Sequence, residues 1–340
     1  MCFMMGAAAG GMLPIAFTLM AETIPTAHRG WLLVALGGIG TSAGYLAASG
    51  AATLLEPTFS WRALWLLNLP TGALIVFLNR YIPESPRFLS NSGLNDQARA
   101  VLARFAGSRE ALVVDADKNE DTHILEIVHP VAEVRQLLRG HYARISIGLA
   151  VCGLAWGLVN FGFVLWLPGN LMKLGADAQG ASTLMAKSAL LAIPGIAVVV
   201  WLYQRWSSIG TLVLFIALTT ASLLAFLAIE VLRLQSGPAT IASTVSLLVG
   251  ISGVIATMIP YAAEIYPVHL RGTGSGLIAA GSKAGGILGA ALGVLGVFDH
   301  FTLSAIVIAV PMAISGLMLA RGGIETRGRT LEAIQQVLSE

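Results

Sequence analysis

The feature that most constrains the fold is a set of nine apolar runs, each long enough to cross a lipid bilayer as a helix. A crossing needs about 20 residues. The runs cover residues 2–20, 31–55, 61–80, 144–168, 181–202, 208–229, 239–262, 273–298 and 301–320. Only 11% of the residues are charged, against roughly 25% in an average soluble domain. The sequence therefore predicts an all-α, polytopic helical membrane protein with nine transmembrane helices.

A five-residue motif that occurs twice indicates an internal repeat. It consists of Ala, Glu, Pro, Arg and Gly at residues 21, 22, 25, 29 and 30, and again 242 residues later. The same offset aligns the first three apolar runs with the last three. In the second half, three apolar runs precede the run that carries the motif; in the first half, none does. If the two halves are equivalent, three helices are missing from the N-terminus. The alternative is a protein that naturally has nine spans.

The arginines beside the apolar runs predict the orientation. They flank the loop 81–143 and follow the last run, at Arg80, Arg87, Arg135, Arg139, Arg144, Arg321, Arg327 and Arg329. Because positive side chains near helix ends stay on the inner side, we expect the loop, both motif copies and the C-terminus to face the cytoplasm, in a plasma (inner) membrane.

The predicted organisation has four parts. They are 1–80, the remaining three helices of an N-terminal bundle; 81–143, a cytoplasmic loop; 144–320, a six-helix bundle; and 321–340, a cytoplasmic tail. Within the loop, helical spacing of apolar residues predicts short amphipathic helices at about 94–105 and 131–139. The acidic stretch 115–121 lacks the Gly and terminal Glu of a calcium-binding loop, so we expect no metal site there.

Three motifs carry a family resemblance. The segment from Glu22 to Gly30, the Pro-Glu-Ser-Pro-Arg sequence at 83–87 and the Glu-Thr-Arg-Gly sequence at 325–328 resemble signatures of the major facilitator superfamily, especially its sugar-porter-like branch. The resemblance covers nearly the whole chain and implies the major facilitator fold, with this chain corresponding to the fourth through twelfth helices. The stretch from Asn160 to Pro168 is more similar to the branch that carries aromatic acids and other metabolites with protons.

The resemblance also implies that the motif charges latch two bundles together at the cytoplasmic gate. The expected gate residues are Glu22, Arg29, Glu84, Arg87, Arg205, Glu264, Arg271 and Glu325. We expect Glu264 to pair with Arg205, and Glu325 with Arg271. The partner expected for Glu22 lies in a loop that the sequence does not contain. The alternative is that these charges only anchor helix ends at the membrane surface, although their recurrence in both halves favours the gate.

Lys283 is the one charge deep within an apolar run, about 15 Å from its start at 1.5 Å per residue. A charge at that depth costs roughly 2.5–3.5 kcal/mol and should face a cavity or a partner. We expect it to bind an anionic group of a substrate; the alternative is a structural partner, either a backbone carbonyl or Asn160.

Two sets of residues near Lys283 have helical spacing. Trp156, Asn160, Phe163 and Trp166 are three or four residues apart, so they are predicted to share a face that lines the substrate pathway, with ordinary packing as the alternative. Gly281, Gly285, Gly289 and Gly293 recur every four residues and predict close helix contact.

These patterns favour a secondary active transporter of a small solute, by proton-coupled symport of an organic acid or similar metabolite. A sugar is the alternative substrate. The chain lacks the Gly-x-x-x-x-Gly-Lys phosphate loop, any catalytic constellation and any basic nucleic-acid-binding patch. We therefore expect no ATP-driven transport, no enzyme activity, no cofactor and no nucleic acid; the expected partners are the substrate, protons and the bilayer. A second hypothesis is a truncated, non-transporting fragment or a membrane interaction protein.

Overall fold

The computed structural model describes residues 2–24, 26–59, 66, 68–106, 130–139, 141–167, 194–232, 237–299, 301–329 and 334. Some side chains within the helices, those of Arg29 and Arg87 among them, lie outside this description. The described residues form helices and turns without a strand. The predicted all-α class is therefore confirmed.

Twelve helices can be followed along the described chain. They are α1 Cys2–Thr23, α2 Thr26–Phe59, α3 Asn68–Asn79, α4 Pro86–Asn91, α5 Asn95–Ala106, α6 Pro130–Leu137, α7 His141–Gly157, α8 194–205, α9 Ser208–Val231, α10 Gly237–Ile265, α11 Val268–Val294 and α12 Phe301–Gly322. A π-helical turn, Leu158–Phe163, continues α7 to residue 167. A short 3-10 turn, Val297–Asp299, lies between α11 and α12.

Five of these helices are long and apolar enough to cross a membrane, among the residues that could be searched. They are Tyr142–Leu167, Ser208–Ile229, Pro238–Ile265, Leu270–Val294 and Leu303–Gly322, which match five predicted runs. The first two predicted runs lie within α1 and α2, and the third and fifth are described only in part, as α3 and α8. The count of nine spans therefore stays a prediction.

The loop between the predicted bundles is described at both ends. The amphipathic helices predicted at 94–105 and 131–139 correspond to α5 and α6, Asn95–Ala106 and Pro130–Leu137. The acidic stretch 115–121 lies outside the described residues.

The repeated motif forms the corner between two helices in each copy. α1 ends at Thr23 and α2 begins at Thr26; α10 ends at Ile265 and α11 begins at Val268, so the boundaries keep the offset of 242 residues. In the second copy Pro267 is extended, with φ −62° and ψ 159°, and precedes the first turn of α11. Proline suits this position because its fixed φ and missing N–H are compatible with a helix start.

The chain divides into two compact units. Met1–Gly38 and His129–Glu340 form the first, and Ile39–Val128 the second. In the first unit α9 packs against α10 and α12, α7 packs against α11 and α12, and α1 packs against α10 and α11. Buried apolar side chains fill these contacts, including Leu149, Leu212, Ile259, Ile278 and Ile308. The packing of α1 brings the two motif corners of this unit together.

The second unit contains α3, α4 and α5, and α4 packs against α5. Its Pro-Glu-Ser-Pro-Arg motif begins α4. Ser85 is the N-cap and its Oγ accepts a hydrogen bond from the Phe88 N–H at 3.3 Å, while Pro86 occupies the first helical turn. This is the usual chemistry of a helix start.

Candidate functional site

A buried ion pair joins the two copies of the motif. Arg271 Nη1 donates to Glu22 Oε1 over 2.6 Å, and the two side chains are 0% and 4% exposed. Arg271 Nε also donates to the carbonyl of Tyr266 at 3.3 Å. The glutamate of the first copy is therefore bound to the arginine of the second. The predicted pairing of Arg271 with Glu325 is wrong, because Arg271 binds Glu22 instead. The partner expected for Glu22 outside the given sequence stays a prediction.

Both charges of this pair lie at helix ends where their own helix disfavours them. Glu22 is in the last turn of α1, at the negative end of the helix dipole, and Arg271 is in the first turn of α11, at the positive end. The dipole of its own helix therefore stabilises neither the Glu22 carboxylate nor the Arg271 guanidinium. The stabilising interaction is the ion pair that forms where α1 contacts α11.

Glu264, the equivalent carboxylate at the end of α10, is bound by hydroxyl groups. Its Oε2 accepts hydrogen bonds from Tyr203 at 2.9 Å and Thr326 at 2.7 Å. Arg205, the predicted partner, has an exposed side chain, and its carbonyl accepts a hydrogen bond from Arg327. The predicted pairing of Glu264 with Arg205 is therefore wrong.

Gly30 of the first motif copy packs against Glu264 of the second copy. A Cβ added to Gly30 would lie 3.5 Å from Glu264 Oε1 and 3.2 Å from Tyr203 Cε1. This contact mirrors the one that Glu22 makes with the second motif. Because the side chain of Arg29 lies outside the described residues, its gate role stays a prediction.

Glu325, which follows α12, caps the first turn of α9. Its carboxylate accepts hydrogen bonds from the Ser207 hydroxyl, from the Ser208 N–H at 2.9 Å and from the Arg327 N–H at 2.9 Å. Burial disfavours the charged form, but these hydrogen bonds outweigh it and lower the pKa of Glu325. A carboxylate at this helix N-terminus also interacts favourably with the helix dipole.

Residues 324–328, which we call the C-terminal clasp, tie α9 to the end of α10. Tyr261 donates its hydroxyl to the Ile324 carbonyl at 2.8 Å and accepts from the Ile324 N–H at 2.9 Å. Gly328 adopts φ +70°, a conformation that glycine tolerates best. Sequence reasoning found only the charged residues of this network. It missed the hydroxyl donors, which are Tyr203, Ser207, Tyr261 and Thr326.

Two predicted gate residues belong to the second unit. Glu84 is exposed and stands immediately before the cap of α4. The side chain of Arg87 lies outside the described part of the chain. A gate role for either residue therefore stays a prediction.

The predicted close contact at the glycine series is confirmed. α7 and α11 touch through their backbones: a Cβ on Gly281 would lie 2.8 Å from the Ala150 carbonyl oxygen, and one on Gly289 would lie 2.9 Å from the Gly162 Cα. Real Cβ contacts are not that short, so these positions accept only glycine without a shift. The contact fixes α11 against α7 where Lys283 lies.

Lys283 is half-buried in α11, and its ammonium lies over an aromatic ring. The Nζ atom is 5.3 Å from the centroid of Phe161, a cation–π contact. Trp156 meets Phe161 edge-on, with centroids 5.8 Å apart and planes at 87°. The Trp156 indole N–H donates to the Ile251 carbonyl of α10 at 3.0 Å. In the described part of the chain no carboxylate pairs with Lys283.

The π-helical turn changes which residues of α7 share a face. Inside it, hydrogen bonds run from residue i+5 to residue i, as from the Val164 N–H to the Val159 carbonyl. The extra residue brings Phe161, rather than Asn160, beside Trp156. Asn160 remains half-buried.

The later aromatic residues of α7 pack against other parts of the first unit. Phe163 is only 1% exposed and contacts Phe226 of α9 with centroids 5.5 Å apart. Trp166 lies 6.4 Å from Phe298, which belongs to the 3-10 turn. Phe163 is therefore buried between α7 and α9. The shared face of Trp156, Asn160, Phe163 and Trp166, and its place in the substrate pathway, stay predictions.

Comparison with known protein families identifies the fold. The family model described as Major Facilitator Superfamily matches residues 1–290. The chain belongs to the Major Facilitator Superfamily. The resemblance inferred from the motifs is confirmed.

Curated relatives of this Major Facilitator protein are transporters. The niacin transporter NiaP of Acinetobacter baylyi is 28% identical over 98% of this chain and 74% of its own length. The putative niacin/nicotinamide transporter NiaP of Bacillus subtilis is 25% identical over 97% of this chain and 74% of its own. The inner membrane metabolite transport protein YgcS of Escherichia coli is 29% identical over 83% and 60%.

Solved structures agree on the Major Facilitator fold. The proton:xylose symporter XylE bound to 6-bromo-6-deoxy-D-glucose superposes with a TM-score of 0.73 at 17% identity, over 96% of this chain and 70% of that one. At that identity the likeness concerns the fold alone. Family and relatives together establish an integral membrane transporter of small solutes, and they confirm that the protein is not an enzyme.

Proposed function

We propose that this protein is a proton-coupled symporter of small organic anions that works by alternating access and closes on the cytoplasmic side through its repeated motifs. The observation that carries the proposal is the buried pair of Glu22 and Arg271, because it joins the motif of one repeat to that of the other. In this arrangement 1–80 and 144–320 belong to opposite bundles of an inner-membrane protein, and the loop 81–143 and tail 321–340 are cytoplasmic.

A buried ion pair between two repeats is suited to a gate. Removing one partner from such a pair typically costs about 3–5 kcal/mol, because the remaining charge is left buried. If the helix ends separate and water enters, however, both charges are hydrated again and most of that cost disappears. The pair therefore stabilises a closed gate without preventing an open one.

Lys283 supports an anionic substrate. It lies within the α11 span, half-buried, with an aromatic ring as its contact. A carboxylate would form a charge-assisted hydrogen bond with the ammonium, which is a stronger interaction than a ring face provides. Two relatives are named for niacin, a carboxylic acid that is ionised at neutral pH.

The solved proton:xylose symporter shares the fold of this chain. A proton gradient is the proposed driving force, and a sugar is the competing substrate. The coupled proton is not carried by Glu325 in this proposal. The hydrogen bonds from Ser207, Ser208 and Arg327 lower the pKa of its carboxyl group, so it stays ionised throughout the neutral range.

The proposal is tested by reconstituting the chain into liposomes and measuring uptake of radiolabelled nicotinate, benzoate, succinate and xylose with and without an inward proton gradient. We expect uptake of at least one acid, accelerated by the gradient and abolished by a protonophore. Uptake of xylose alone, or uptake of an acid that does not respond to the gradient, would contradict the proposal. Absence of any uptake would favour the non-transporting alternative.

Lys283 is tested in the same assay with Lys283→Met and Lys283→Arg. Methionine keeps an unbranched, flexible side chain that is slightly shorter and removes the charge, whereas arginine keeps the charge. We expect Met to abolish uptake of acids and Arg to retain part of it. Equal uptake by Met and Arg would assign Lys283 to structure rather than to substrate.

A further inference from the structure

Phe161 makes the contact to Lys283 that sequence reasoning did not anticipate. Its ring centroid lies 5.3 Å from the Lys283 ammonium. A Cβ on Gly286 would come within 2.9 Å of Phe161 Cδ2, so the missing side chain at Gly286 makes room for the ring against α11. Ring and ammonium are thus held together by the packing of two helices.

The π-helical turn is what places the ring there. In a regular α-helix Asn160 would follow Trp156 by one turn, and an amide would lie beside the indole. The wider turn at Leu158–Phe163 puts the phenyl ring of Phe161 in that position instead. Such turns are rare and occur frequently at functional sites.

Trp156 holds the aromatic pair in place. Its N–H is bound to the Ile251 carbonyl of α10, and its ring meets Phe161 at 87°. Trp156, Phe161 and Lys283 are each only half-buried, so part of each side chain lies at the surface of the described residues. Two rings and one cation therefore form a single surface across α7 and α11, which we call the aromatic–lysine surface.

We propose that Phe161 is a specificity-determining residue, which makes the aromatic–lysine surface select carboxylates that carry a flat aromatic ring. The carboxylate takes the ammonium of Lys283 and displaces the face of Phe161 from it. The substrate ring then packs against Phe161 and Trp156. This inference rests on the proposed function, in which Lys283 binds the anionic group.

The selectivity follows from the geometry of aromatic contacts. Aromatic rings attract one another in edge-to-face or offset arrangements, beyond the effect of buried area. A flat ring attached to the carboxylate can adopt such an arrangement with the pair, whereas a saturated ring of similar size contributes only its apolar area. The expected preference is about tenfold, the ratio that corresponds to one good aromatic contact.

The test compares two carboxylates that differ mainly in the flatness of the ring. Binding of radiolabelled nicotinate to the full 340-residue chain in lipid nanodiscs is competed with benzoate or with cyclohexanecarboxylate. The variants are Phe161→Leu, which removes the ring, and Phe161→Tyr, which keeps it. Phe88→Leu, at an exposed phenylalanine of α4, is the matched control. The readout is the ratio of the two inhibition constants, which does not depend on the amount of folded protein.

We expect benzoate to compete about tenfold better than cyclohexanecarboxylate in the unchanged chain, in Phe161→Tyr and in Phe88→Leu. In Phe161→Leu the ratio should fall to about one while nicotinate still binds. An unchanged ratio in Phe161→Leu overturns the role of Phe161, as does a ratio near one in the unchanged chain. Binding of carboxylates that survives Lys283→Met overturns the proposed function instead, so the two failures can be distinguished.

Discussion

At the scale of single residues, the carboxylates of the proposed gate have partners that differ in kind. Glu22 binds a buried arginine, Glu264 accepts two hydroxyl hydrogen bonds, and Glu325 caps a helix. Removing the acid of a charge pair leaves a buried cation behind, whereas removing an acid bound by neutral donors leaves no buried charge. The three sites should therefore be separable by mutation.

Glu22→Gln should destabilise the protein by about 3–5 kcal/mol, the usual effect of removing one partner of a buried ion pair. Thermal unfolding in detergent, followed through tryptophan fluorescence, measures the loss. Glu84→Gln is the matched control, since Glu84 is exposed and surface substitutions usually stay within about 0.5 kcal/mol. Equal effects of the two variants would contradict the buried pair.

The contribution of Glu325 in the C-terminal clasp to the stability of the protein should be lost only in acid. The folded-state pKa of Glu325 lies below its unfolded value, so its contribution is fully present above the unfolded pKa, about 4.3. It disappears as the pH falls through the lower folded-state pKa. The stability difference between the unchanged chain and Glu325→Gln should be constant from pH 7 to about 5 and shrink below that. A difference that already vanishes between pH 7 and 6 would contradict this assignment.

At the scale of helices, the contact of α7 with α11 determines where Lys283 and Phe161 meet. Gly281 and Gly289 allow the two backbones to touch, and the π-helical turn then supplies the ring. The glycine series was predictable from its spacing of four residues. The π-helical turn was not, because a pattern of 3.6 residues per turn pairs Trp156 with Asn160.

Two glycines of α11 provide a matched test of this contact. A Cβ on Gly281 would lie 2.8 Å from the Ala150 carbonyl oxygen, while one on Gly276 would meet nothing within 4 Å. Gly281→Ala should therefore destabilise the protein by about 1–3 kcal/mol through overpacking. Gly276→Ala should be neutral or stabilise it by about 0.4–1 kcal/mol, since the chain loses freedom only when unfolded. Thermal unfolding of the two variants measures both effects. If Gly276→Ala destabilises the protein as much as Gly281→Ala does, the close contact at Gly281 is contradicted.

At the scale of the whole molecule, most of the fold followed from the apolar runs, because each membrane-spanning helix must satisfy its own backbone hydrogen bonds. The fixed offset of the motif also gave the equivalence of the corners at Thr23 and Ile265. It could not give the pairing of Glu22 with Arg271, since that depends on α1 packing against α11 in three dimensions. The hydrogen bonds from Tyr203 and Thr326 to Glu264 were also not predictable, because neither donor is charged and the search of the sequence paired only charged residues.

The central claim is that the ion pair between the repeats closes the cytoplasmic gate of a transporter. Its most direct test is proton-driven uptake of nicotinate into liposomes by Glu22→Arg, Arg271→Glu and the double variant with both charges exchanged. Each single reversal places two like charges together, so we predict at least about a tenfold loss of the initial rate, with much of it restored in the double variant. Single variants that transport at the unchanged rate, or a double variant no better than the singles, would contradict the account.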